Sequence, residues 1–177
     1  MKINIVRIGV IWLLLFSLFG FFSCALKESY KIFSVNMIEG KNIQEHINSN
    51  DLDFARVSEV LFIPEIKAIN HGKYIIHFSA YSSCNVDKIS IKSMVFLGGE
   101  DILFSNDNEQ SISLVKNGEL YEGNISNMFE VNNNSLKNGI RLSLKVEVSV
   151  IRDESLVDKD LIYDVLVKGY RSPVVPT

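Results

Sequence analysis

The chain has 177 residues, 22% of them charged, with a formal net charge of −3 and two cysteines. That length has room for one ordinary domain, and a mildly acidic chain without a clustered Lys/Arg face lacks the electrostatic footprint of a nucleic-acid binder. The mean hydropathy of +0.16 is raised by the first two dozen residues, and the rest of the chain is ordinary globular sequence.

From the N-terminus, Lys2 and Arg7 form a positive segment without an acid, and Ile8 to Phe22, IGVIWLLLFSLFGFF, is an apolar stretch of 15 residues. A hydrocarbon core about 30 Å thick needs about 20 apolar helical residues, so this run fits a secretory h-region better than a membrane span. Gly20 helps break the helix ahead of a cleavage point. The segment holds Trp12, the sole tryptophan. Without Lys2 and Arg7 the chain keeps 16 basic against 21 acidic side chains, a charge of about −5.

Where apolar sequence turns polar stand Phe21, Phe22, Ser23 and Cys24. This stretch resembles the lipobox that ends the signal of bacterial lipoproteins, whose pattern is aliphatic, small, small, cysteine. Ser23 and Cys24 match it, whereas Phe21 and Phe22 depart from the aliphatic and small residues usual at their positions. The resemblance implies cleavage between Ser23 and Cys24, thioether lipidation of Cys24 and acylation of the new amino terminus. A thiolate can take up a lipid, and several acyl chains hold a protein far more firmly than one. In the family, Asp after the cysteine favours retention in the inner membrane, so Ala25 implies an outer-membrane protein facing the periplasm. The implied domain boundaries are 1–23 for the signal, 24–30 for a lipidated tether and 31–177 for a folded domain. With Cys24 lipidated, Cys84 has no partner within the chain; with Cys24 free, the two can bridge.

Beyond the tether the sequence reads as strands separated by turns. Ile140 to Val150, IRLSLKVEVSV, alternates apolar and polar residues, the pattern of a strand with one face in the core and one in water. Further strands are predicted over Ser29–Val35, Ala55–Ile63, Lys73–Tyr81, Lys88–Leu97, Ile102–Phe104, Gln110–Val115, Met128–Val131 and Asp160–Tyr170. Turn chemistry falls between them at His71-Gly72, Gly98-Gly99, Asn117-Gly118 and Asn138-Gly139. One short helix is predicted at Asn42 to Asn48, with Asn42 as cap, Glu45 closing the capping box, and Ile43 and Ile47 on one face. Short strands at fairly regular spacing predict an all-β, antiparallel two-sheet sandwich of immunoglobulin-like or transthyretin-like kind. The tail RSPVVPT reads as a ragged end, because Pro173 and Pro176 cannot donate to a ladder.

Motifs that carry chemistry are scarce. There is no Gly-x-Ser-x-Gly elbow for a nucleophile. His46, His71 and His77 lack the spacing and cysteine companions of a zinc site, and are read as structural. Acidic groups recur at Asp51/Asp53, Glu100/Asp101, Asp107/Glu109, Asp153/Glu154 and Asp158/Asp160, each in a predicted turn where solvated charge is the default. The loop Ser105 to Gln110, SNDNEQ, faintly resembles a calcium loop but lacks the central Gly and the distal Glu. Two Asn-x-Ser tripeptides, at Asn124 and Asn133, are discounted beside a bacterial-type signal.

The expectation is a lipid-anchored binding protein of the bacterial envelope with no catalytic residue, no metal and no cofactor. Its partners would be the membrane, through Cys24, and another protein. In size and anchor it resembles immunity lipoproteins, which neutralise a periplasm-acting toxin such as a secreted phospholipase by covering its active site. Two rivals stand beside it: a structural accessory of a secretion or envelope-assembly apparatus, and an anchored enzyme or small-ligand carrier with a pocket lined by Tyr74, Phe78 and Tyr81.

Overall fold

The computed structural model describes residues 29–35, 43–48, 52–70, 72–131, 136 and 139–171. In chain order the strands are β1 (Ser29–Val35), β2 (Arg56–Val57), β3 (Val60–Asn70), β4 (Lys73–Ser82), β5 (Lys88–Gly98), β6 (Asp101–Asn106), β7 (Gln110–Ile112), β8 (Val115–Asn117), β9 (Leu120–Glu130), β10 (Arg141–Arg152) and β11 (Ser155–Arg171). Helix α1 (Ile43–Asn48) and a 3-10 turn at Asp53–Ala55 lie between β1 and β2. One sheet has the order β1-β11-β10-β5-β6, with β7 also on β5, and the other the order β2-β3-β4-β9-β8. The registers joining β2 through β11 are antiparallel. The chain is therefore the all-β sandwich that its alternation predicts.

β10 shows why. Leu142, Leu144, Val146, Val148 and Val150 are buried while Arg141 and Lys145 are exposed, so the period-2 pattern places one face in the core. Opposite them lie Tyr163, Leu161 and Val165 of β11 and Met94 and Phe96 of β5, also buried. The second sheet contributes Phe62 and Ile66 of β3, Tyr74, Ile76, Phe78 and Ala80 of β4, and Phe129 of β9. Aromatic rings pack along each face, and Phe33 with Tyr74 joins the two. Phe33 of β1 meets Tyr74 edge-on at 4.9 Å and Phe96 at 5.8 Å, Tyr74 stacks on Phe129 at 5.5 Å, and Phe62 stacks on Phe78 at 5.5 Å. Such pairs add about 0.5–1.5 kcal/mol each beyond the area they bury. Tyr163 sits edge-on to Phe78, and its hydroxyl donates across the sandwich to the Phe62 carbonyl at 3.1 Å. Burial alone pushes the Tyr163 phenol far above its ordinary pKa, so it stays a donor.

Where β9 passes the edge of the first sheet, a cluster of amides joins them. Asn106 Nδ2 donates to Asn127 Oδ1 at 2.9 Å, and Asn127 Nδ2 donates to Gln110 Oε1 at 2.9 Å. Gly123 of β9 lies so close to the β7–β8 connection that an added Cβ would sit 2.4 Å from the Ser113 carbonyl oxygen. That approach requires glycine.

Several predicted strands change their limits. Ala55–Ile63 is not one strand: a tight turn at Ser58-Glu59, with Ser58 at φ +53°, divides it into β2 and β3. Val57, Val60 and Leu61 on both sides of the turn are buried, while Ser58 and Glu59 within it are exposed. Gln110–Val115 splits into β7 and β8 because the chain leaves one sheet for the other there. β9 begins at Leu120, well before the predicted Met128, since its half-polar stretch carries Gly123, Asn124 and Ser126. β11 begins at Ser155 directly after an Asp153-Glu154 turn with φ of +49° and +63°, so Asp158 and Asp160 lie within a strand and not in a turn. β1 already begins at Ser29, inside the segment assigned to the tether. Asn117-Gly118 makes the expected hairpin between β8 and β9, with Gly118 at φ +62°. In α1, Ile43 and Ile47 are half-buried and Glu45 is exposed; Asn42, His71, Asn138 and the C-terminal prolines lie outside the described residues.

Two substitutions test this packing. Tyr163→Phe should destabilise the fold by about 1–3 kcal/mol in urea unfolding, because the Phe62 carbonyl is left without its donor. Gly123→Ala should cost about 1–3 kcal/mol through overpacking against the Ser113 backbone, whereas Gly99→Ser, in open space at positive φ, should cost less.

Candidate functional site

Two regions gather polar side chains. The first is one end of the sandwich, where the β2–β3 turn, the segment after β4 and the β10–β11 turn come together. The Glu59 carboxylate accepts a hydrogen bond from the Cys84 thiol at 2.8 Å and pairs with the Arg152 guanidinium. Ser82, buried at the end of β4, accepts from the Cys84 backbone N–H at 3.2 Å. Asp87 accepts from the Asp153 N–H at 2.9 Å, and the Asp87 N–H donates to the Ile151 carbonyl. Nearby, Lys159 donates to the Asp53 and Arg56 carbonyls at 3.0 and 2.8 Å, tying β11 to the 3-10 turn. Arg56 in turn donates to the His46 and Ile47 carbonyls at the C-terminal end of α1, where a cation suits unpaired carbonyls.

The electrostatics of this cluster oppose nucleophilic chemistry. Burial, and then the hydrogen bond to Glu59, hold the Cys84 thiol above its ordinary pKa of 9.0. The thiolate that would attack or bind a metal is therefore suppressed. The Cys84 and Arg152 hydrogen bonds hold Glu59 below its ordinary 4.5. Each partner thus favours the other's native protonation state.

The second region is the outer face of the β3-β4-β9-β8 sheet. Ser79 and Tyr81 of β4 form a floor shared by two adjoining hollows. One, about 360 Å³, wraps from that face around the edge of β3, with Ile63, Pro64, Glu65 and Ile66 on one side and Phe33, Val35 and Ile43 on the other; the second, about 400 Å³, runs toward Ser113, Val115, Glu122 and Asn124. Hollows of this size suit a small ligand or the side chains of a partner. No lysine or arginine lines either one. Glu122 accepts from Asn117 Nδ2 at 2.6 Å, and Glu65 pairs with Lys67 at 2.9 Å.

The aromatic pocket expected from Tyr74, Phe78 and Tyr81 does not form. Tyr74 and Phe78 point into the core and are fully buried, while Tyr81 faces outward, because positions of odd separation on a strand lie on opposite faces. His77 stands on the outer face with its Nδ1 at 2.8 Å from Ser126 Oγ, and His46 is buried in α1. The acidic groups disperse: Asp53 approaches Arg56, Glu109 pairs with Lys88, Asp158 pairs with Lys92 across β10, and Glu100 and Asp101 stand at the β5–β6 turn. In the loop expected to resemble a calcium site, Asn106 turns inward to the amide cluster and accepts from the Asn108 N–H. Among the described residues no three His, Cys, Asp or Glu side chains converge as metal ligands. Ser23, Cys24 and Asp51 lie outside the described residues. Glu59 and Arg152 escaped sequence reading, since only a bulky apolar flank and a following acidic pair mark them.

No protein-family model, no curated protein and no solved structure matches this chain.

Thiol titration checks the cluster. In a Cys24→Ala background, alkylation of Cys84 should be slow at pH 8 and rise with a midpoint above 9.0, and Glu59→Gln should lower that midpoint without restoring the ordinary value, because burial remains. The two shifts act on stability at opposite ends of the pH range. Cys84, raised, contributes stability present below about pH 9 and lost as pH rises through its folded pKa. Glu59, lowered, contributes stability present above about pH 4.5 and lost as pH falls through its folded pKa.

Proposed function

We propose that this protein is a lipid-anchored, non-catalytic binding protein of the bacterial envelope that occludes the active site of a periplasm-acting toxin. The observation that carries the reading is the short distance in sequence between Cys24 and the first strand, which begins at Ser29. Five residues of extended chain reach no more than about 18 Å. An acylated Cys24 would therefore hold the sandwich close against the bilayer, where an enzyme attacking lipid must also work. Among the described residues no helix is long and apolar enough to cross a membrane. The loops and outer sheet faces of a rigid sandwich supply the recognition surface. The hollows beside Tyr81 favour one rival from another class, an anchored carrier of a small ligand.

Metabolic labelling with an alkyne fatty acid tests the anchor: the wild-type chain should take up label, Cys24→Ala should not, and the processed form should lose the emission of Trp12. Capture with tagged protein from lysates of the host and its relatives then tests the role. A secreted hydrolase that is bound in stoichiometric amount and inhibited supports immunity. Turnover of a substrate by the protein itself overturns it.

A further inference from the structure

Among the described residues most of one edge of β3 has no partner strand. β2 covers Val60 and Leu61 only, and among the described residues no strand pairs with Phe62 to Asn70 on that side. The direction of the free backbone groups is set by the turn. The two-residue β2–β3 hairpin closes on the hydrogen-bonded pair Val57 and Val60, so the Val60 amide and carbonyl point away from β4, and those of residues 62, 64, 66 and 68 point the same way. Two side observations agree: the Phe62 carbonyl accepts from Tyr163 and not from β4, and Pro64, which has no N–H to give, occupies an outward position. Among the described residues, no strand stands opposite the Pro64 carbonyl or the outward groups of Ile66 and Ala68.

We infer that this edge pairs with the same edge of a second copy, antiparallel about a twofold axis through Ile66. In that register Ile66 exchanges reciprocal hydrogen bonds with its counterpart, and each Ala68 N–H donates to the opposing Pro64 carbonyl. Glu65 faces the other copy's Lys67, and Lys67 faces its Glu65, on the exposed side of the sheet. The sequence Glu65-Ile66-Lys67 is thus its own charge complement when reversed. Other registers are less favourable: an axis at Glu65 or Lys67 sets like charges face to face. An axis at Pro64 has no donor, and one at Ala68 runs into the irregular register between Ala68 and Asn70. Exposed Ile69, 51% accessible, lies beside the seam. The inference is independent of the anchor and of the proposed toxin.

Sedimentation of the full-length chain in detergent, with concentration raised to about 1 mM so that a weak contact registers, tests it. A monomer–dimer equilibrium is expected. Ala68→Pro, which removes an outward donor and leaves the β4 ladder intact, should abolish it. Glu65→Lys and Lys67→Glu should each weaken it about tenfold, and the double exchange should restore it. These surface changes should leave thermal unfolding unaltered. A chain that stays monomeric, a dimer indifferent to Ala68→Pro, or single charge changes that the double exchange fails to rescue would overturn the inference.

Discussion

The inner faces of the two sheets are held together by aromatic rings that neither sheet could bury alone. Phe33 comes from the edge strand of one sheet and inserts against Tyr74 and Phe129 of the other, while Tyr163 crosses the same gap to reach the Phe62 carbonyl. Sheet packing is otherwise nondirectional, so a hydrogen bond from a fully buried phenol to a specified carbonyl does what apolar area cannot. It selects one relative placement of the sheets, and misplacing it leaves a buried carbonyl without a partner, at a cost of about 1–3 kcal/mol.

That single bond also shapes the surface. It occupies one of the outward carbonyls of β3, and the short β2 covers only the beginning of the same edge. Among the described residues the rest of that edge has no partner strand, and Pro64 within it has no N–H to offer one. At the opposite seam the problem is solved differently. Asn106, Gln110 and Asn127 satisfy one another between β6, β7 and β9, and Gly123 lets two backbones approach. The core is filled by side chains, and Tyr81, Glu65 and Lys67 stand outside it.

The polar residues most tempting to a chemist are absorbed by structure. Cys84 and Glu59 form a pair in which the thiol is held protonated and the carboxylate ionised, joined to Arg152 from a distant strand. Lys92 is the extra residue where the β5–β10 register shifts, and this sends its ammonium across to Asp158. Exposed pairs of this kind contribute little energy each. Their importance is geometric, since they fix the loops that border any contact surface.

Alternation sufficed to read β1, β4, β5 and β10 from the sequence, because a strand with one wet face writes its period directly into residue polarity. The Asn117-Gly118 hairpin was equally legible, as its backbone needs φ angles that few residues supply. The turn at Ser58-Glu59 was not: two exposed polar residues between buried valines, with no Gly, Asn or Pro to mark a turn, read like the wet face of one continuous strand. Nor could one sequence show that β9 begins at Leu120, because its polar residues are satisfied by neighbours from other strands. The sequence by itself determined the class of fold, an antiparallel β-sandwich following an apolar N-terminal stretch that ends at Cys24. Tertiary structure alone decided which faces Tyr74, Phe78 and Tyr81 occupy together, which charges pair, and which strand edge lacks a partner among the described residues, because each depends on residues far apart in the chain meeting across a sheet.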